Sequence, residues 1–313
     1  MPEAFRNLAR PDSAPGEGDG VHLTFPHTLD HARSATGEVD FWTWWADRPA
    51  LDEATLQLAA RALAAEELGQ DDAPDLLALS LSQTDRVGHA FGPSSLEQLD
   101  NLFRLDRALG AFLDRLDQTV GKGRYAVTLT SDHGSLVLPE VRAEQGLSGA
   151  RLTRDSVAAL QHLVNQAAAQ SPDPQERARR LAEVVAGASW VARAWSHDEL
   201  STDTPADSFT VLQRHSYYPG RMAGLLSRAG VEIQLTEGTL TWNFPVGTTH
   251  GSPYHYDRHV PWIIQAPGVA PGTRDEAVSS TDVAPTLAGL LGLDPPDDLD
   301  GVDRLPKDPG PPS

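Results

Sequence analysis

Cysteine is absent from the 313 residues. That excludes disulfides, thiolate metal sites and thiol catalysis together, so any metal ion must be held by His, Asp or Glu. Positive charge is scarce: 25 Lys and Arg stand against 44 Asp and Glu, a formal net charge of −19. A surface this acidic argues against a nucleic-acid partner, whose recognition begins with a basic face. It also argues against docking on an anionic membrane. No apolar run approaches the roughly 18 residues of a membrane span. The opening MPEAFRNLARPDSAPGEGDG has no basic region followed by an apolar one. It does not read as a signal peptide, and the chain as written is expected in the cytoplasm.

What is present describes a globular chain, 40% hydrophobic and 22% charged, with length for one large domain or two ordinary ones. Residues 1–20 are polar and rich in Pro and Gly and are expected to form a poorly ordered lead-in. Phe41, Trp42, Trp44 and Trp45 suggest a hydrophobic plug on the core, or a substrate platform. Leu51–Leu68, followed by Gly69, has helical periodicity, as does Leu96–Leu116 with its apolar stripe. LLALSLS (Leu76–Ser82) and YAVTLTS (Tyr125–Ser131) suit buried strands. Helix and strand alternating with long connections imply an α/β fold, a mostly parallel sheet sandwiched between helices.

From about 140 to 245 the character changes. Helical stretches at Ser156–Gln170 and Pro174–Ala186, with short strands at Trp190–Trp195, Val231–Thr236 and Thr239–Phe244, suggest an inserted subdomain. The sheet is expected to resume at Val260–Pro267, followed by a capped helix at Thr281–Leu293. The catalytic domain would thus span 21–293, and the Pro- and Asp-rich tail at 294–313 is expected to hold little structure.

Both early strands run directly into possible metal ligands, as expected at the carboxyl ends of strands in an open α/β sheet. After the first comes QTDRVGHAFGP, with Asp85 and His89 four apart; after the second comes DHG, with Asp132 and His133 adjacent. His250 stands in GTTHGSPYHYDRH. Carboxylate oxygen and imidazole nitrogen are what zinc accepts when thiolate is lacking, and an Asp-x-x-x-His turn presents both groups to one ion. A metal hydrolase therefore stands beside the plainer reading of single helix caps and loop histidines. His255 and His259 fit surface or supporting positions near His250. Arg221 fits either an anionic substrate or a salt bridge, and His22, His27 and His31 form no convincing tract.

Taken together, SQTDRVGHAFGPSSLEQLDNLFRLDRALGAFLDRLD, TSDHG and GTTHGSPYHYDRHVPWIIQAPG resemble the alkaline phosphatase superfamily. The resemblance is to its zinc-dependent phosphomonoesterase branch, related to type I phosphodiesterases and nucleotide pyrophosphatases. YYPGR (Tyr217–Arg221) and TDVAPTLAGLLGLDPPDDLDG fit the same pattern. The resemblance implies an alkaline-phosphatase-like fold and hydrolysis of small phosphate monoesters at two zinc ions about 4 Å apart. Diesters are the main alternative substrate. Asp85, His89 and His250 match the ligands of one zinc, and Asp132 and His133 match two ligands of the other. The family is commonly exported, so a periplasmic or secreted location is implied.

The family's first strands, with a further Asp for the second zinc and the nucleophilic Ser or Thr, have no counterpart in the sequence. Thr84, Thr248 and Thr249 adjoin ligands and could substitute, and water on a single zinc is a further candidate nucleophile. Three expectations follow: a piece of a longer phosphatase, a zinc-binding protein or interaction module without turnover, or an altered mononuclear hydrolase.

Overall fold

The computed structural model describes residues 3–18, 22–28, 41–46, 49–221, 224–241 and 243–305. Two compact units are interleaved along the chain. The first takes Met1–Arg48, Gln83–Leu102 and His133–His259, and the second takes Pro49–Ser82, Phe103–Asp132 and Val260–Ser313.

In the first unit residues 154–235 build a core of their own. Helices Arg154–Gln170 and Pro174–Ala186 pack against the antiparallel strands Val191–Ser196 and Val231–Leu235. Ala167, Ala178, Leu181, Ala182, Val185, Val191, Leu226 and Val231 form the buried cluster. Local sequence sets these boundaries: Asp173 accepts hydrogen bonds from the amides of Gln175 and Glu176, and Pro174 occupies the first turn, where no amide donor is needed. Ser196 and Glu199 cap each other at the next helix start. Arg151, from the short parallel pair Ala150–Arg151 with Thr239–Leu240, forms an ion pair with Glu140 at 2.6 Å.

The lead-in contributes to this unit. Glu3–Leu8 is a 3-10 helix, and Glu17 is fully buried, accepting from Arg10 and from the Ala14 amide. Its backbone reaches the centre of the unit, because Gly247 N donates to Gly16 O and Gly18 N donates to Ala90 O, both at 2.6 Å. Of the aromatic cluster expected as a plug or a platform, Trp44 and Trp45 are half-buried. Phe41–Ala46 is a short helix whose Phe41 and Trp42 are exposed and touch each other edge to face.

In the second unit, helix Ala50–Ala65 buries Leu56, Ala59 and Leu63 along one stripe. Leu56 and Ala59 cluster with Phe112, and Leu77, Leu81, Leu105 and Leu109 pack around them. Strand Val127–Thr130 pairs antiparallel with Trp262–Gln265, and Trp262 Nε1 donates to Thr128 Oγ1 at 2.7 Å.

The sheets are small. Among the described residues, one of the three pairings is parallel and two are antiparallel. Alternation of helix and strand could not give those directions, since the partners of Val127–Thr130 and Ala150–Arg151 lie far along the chain. Leu76–Ser82 enters no ladder among the described residues, and Leu76 and Leu79 are exposed.

The tail is anchored as far as residue 305. Buried Asp282 accepts from Val302 N at 2.9 Å and from Arg304 Nε at 2.6 Å, and Thr286 Oγ1 accepts from Arg304 N. No helix among the described residues is long and apolar enough to cross a membrane.

Candidate metal centre

Asp85 and His89 lie on helix Gln83–Phe91, one turn apart on one face. The opposite face is fixed by burial of Gln83, Val87, Gly88 and Phe91. Buried amides hold the start of this helix: Gln98 Nε2 donates to Thr84 O at 2.8 Å, and Asn101 Nδ2 donates to Thr84 Oγ1 at 3.2 Å. Asp85 therefore stands on a braced first turn rather than in a free loop.

The three histidines converge on one atom of that carboxylate. From Asp85 Oδ1, His89 Nε2 lies at 3.3 Å, His250 Nε2 at 3.6 Å and His133 Nε2 at 3.9 Å. Groups held tetrahedrally by one zinc ion, each about 2.0–2.1 Å from it, stand roughly 3.3–3.4 Å from one another. Asp85, His89 and His250 are the residues whose ligand atoms gather within 4.8 Å among the described residues. His133 stacks on His250, with centroids 3.3 Å apart and planes 9° from parallel.

The outer nitrogens decide what the inner ones can do. His89 Nδ1 lies 2.7 Å from Thr248 O, and His133 Nδ1 lies 2.8 Å from Gly134 O. A carbonyl only accepts, so both Nδ1 atoms carry a proton, and in the neutral form of either ring the Nε2 lone pair is what faces Asp85. Lone pairs facing a carboxylate repel it unless a proton or a cation lies between. Burial, then the neighbouring His133, pushes the His250 pKa down against the pull of Asp85, which disfavours the proton there. The donor set thus fits a divalent cation that accepts nitrogen and oxygen.

Two glycines permit this closeness. A Cβ at Gly134 would overlap the Tyr256 carbonyl oxygen, and one at Gly247, where φ is +70°, would overlap that of His89. Gly134 N also donates to Asp257 O at 2.7 Å.

The family profile of type I phosphodiesterase / nucleotide pyrophosphatase matches residues 15–236. The chain belongs to this family. Within the wider alkaline phosphatase superfamily, it is 29% identical over 294 residues to alkaline phosphatase PhoV of Synechococcus elongatus, covering 87% of this chain and 51% of that one. It is 30% identical over 290 residues to alkaline phosphatase PhoK of a Sphingomonas species, covering 81% and 50%. A protein of Myroides odoratus named calcium-transporting ATPase is 30% identical over 303 residues, covering 87% and 53%. The chain therefore spans about half the length of these relatives. The crystal structure of wild-type alkaline phosphatase PafA superposes with a TM-score of 0.82 at 25% identity, covering 97% of this chain and 61% of that one. The alkaline-phosphatase-like α/β fold follows.

Of the residues singled out in this phosphodiesterase-family sequence, Asp85, His89, His133 and His250 meet. Asp132 directly precedes His133 but closes a segment of the second unit. His255 and His259 are exposed and stack on each other at 4.5 Å, and Arg221 lies over the Tyr218 ring. His27 pairs with Glu97 at 2.8 Å, while His31 lies outside the described residues. Thr248, weighed as a nucleophile, is fully buried with its hydroxyl donated to Leu136 O at 2.8 Å. Two glycines hinted at the close approaches, since Gly134 and Gly247 both sit within three residues of a clustered histidine. The Thr248 contacts left no local signal.

Proposed function

We propose that the cluster holds zinc and that the chain carries the metal-binding part of a phosphatase that hydrolyses small phosphate monoesters. The observation that supports this most directly is the meeting of three imidazole nitrogens on Asp85 Oδ1, two of them with tautomers set by backbone carbonyls. Asp85, His89 and His250 would hold one ion, and Asp132 and His133 would serve a second. A bound divalent cation supplies charge neutralisation for phosphoryl oxygens and lowers the pKa of bound water. The histidines orient, the carboxylate balances charge, and the glycines keep the backbones close. The alkaline phosphatase names among the relatives favour monoesters, and the family's phosphodiesterase name makes diesters the alternative. A periplasmic or secreted location goes with that reading.

Zinc binding without turnover is the second reading, favoured by the fate of two candidate nucleophiles. The Thr248 hydroxyl is buried, and that of Thr84 is engaged by Asn101.

One experiment separates these readings. Zinc content of the purified chain is measured by elemental analysis, with hydrolysis of p-nitrophenyl phosphate and bis-p-nitrophenyl phosphate followed in parallel. Bound zinc with monoester turnover supports the phosphatase; bound zinc without turnover supports the second reading. No zinc bound at saturating concentrations would overturn both.

A further inference from the structure

Thr248 is two residues from His250, yet its contacts go elsewhere. Its amide donates to His89 O at 2.8 Å, and its carbonyl accepts from His89 Nδ1 at 2.7 Å. One residue thus grips both the backbone and the ring of the same ligand. Its hydroxyl donates to Leu136 O at 2.8 Å, three residues beyond His133. Thr248 and Leu136 are buried, so water cannot replace this bond.

We infer that Thr248 is a positioning residue for the metal centre: its hydroxyl locks the segment after His133 to the carbonyl that sets the His89 tautomer. The inference rests on the metal-centre reading above. A threonine that merely filled core space would need its methyl group and its volume, both of which valine supplies. The positioning role needs the hydroxyl. Without it Leu136 O loses its side-chain donor, and one main-chain bond, Leu136 N to Thr249 O at 3.3 Å, remains between the two segments. The Thr248 carbonyl then loses one of its restraints, and the His89 ring that it orients is held less firmly. Supporting hydrogen bonds of this kind typically change metal affinity by about 10- to 100-fold when removed.

The test uses the full chain, zinc and a chromophoric competing chelator. Thr248→Val is expected to weaken zinc binding roughly 10- to 100-fold, with Thr248→Ser restoring it. In the metal-free wild type, ¹⁵N ring shifts should show His89 with its proton on Nδ1, and Thr248→Val should mix the tautomers. Wild-type zinc affinity in Thr248→Val would overturn the inference while leaving the metal centre standing. If the valine variant does not fold, the wild-type ring shifts decide, and a His89 proton on Nε2 would refute the clamp. A wild type that binds no zinc removes the metal centre itself, and the inference with it.

Discussion

His133 and His250 stack face to face, 3.3 Å between ring centroids, although 133 ends one long excursion of the chain and 250 nears the end of the next. The contact joins the two candidate ion sites: His250 belongs with Asp85 and His89, and His133 adjoins Asp132. Alanine at His89 is therefore expected to abolish stoichiometric zinc binding, whereas His133→Ala should weaken only the second ion. Elemental analysis after gel filtration checks this. Unchanged zinc in the His89 variant would sink the assignment.

The close approach at Gly134 is a second point of test. Alanine there must push apart the Tyr256 carbonyl and the backbone beside His133. We expect Gly134→Ala to cost about 1–3 kcal/mol of stability, as overpacking does elsewhere, together with a measurable loss of zinc affinity. Denaturant unfolding gives the first number and chelator competition the second. A variant as stable as the wild type would show that the backbone yields freely.

Tyr125, in the second unit, offers a pH-dependent probe of its own. Burial, with a 2.7 Å hydrogen bond to Asp117 Oδ1, raises its phenol pKa to about 12. The folded state keeps a proton that the unfolded chain gives up near pH 10, so this contribution to stability is complete below about 10 and disappears as pH rises through about 12. Burial also raises the Tyr256 phenol, so ultraviolet titration should show late-titrating phenols, reduced by one in Tyr125→Phe. A single transition near 10 for all tyrosines would contradict it.

Asp282 works in the opposite direction. Burial raises its pKa, but hydrogen bonds from Ser279 N, Val302 N and Arg304 outweigh this and leave it below the usual carboxylate value. Its stabilisation is present above about pH 3.9 and is lost as pH falls through the lowered folded value. Asp282→Asn should cost about 1.5–3 kcal/mol, the range for hydrogen bonds to a charged group, and should release the segment around Val302 to proteases. Equal cleavage rates in variant and wild type would count against the anchor.

What could be read from the residues was whatever depends on near neighbours. Pro174–Ala186 emerges with the ends its Asp173 cap and Pro174 dictate, and Asp85 with His89 shares a face because four residues make about one helical turn. The pairing directions were not legible. The partner of Val127–Thr130 is Trp262–Gln265, over a hundred residues on, and nothing near either strand encodes that choice. Leu76–Ser82 carries a strand's composition, yet composition cannot supply a ladder. Thr248 shows the same limit within the site. Two residues from His250 it could be weighed as a substitute nucleophile, and only the fold reveals that His89 and Leu136 occupy its polar atoms.

The interleaving of the two units also has a consequence during synthesis. His89 leaves the ribosome 159 residues ahead of Thr248, the residue that grips it. At roughly 5–20 residues per second, about 8–30 s pass in which the nascent chain exposes Asp85 and His89 without their partners. On the proposed reading, a cation captured in that interval would meet two of the three residues of the cluster. The cluster is therefore complete only once residue 250 has joined the chain, and on the metal-centre reading proposed above an ion offered before that point meets an unfinished site.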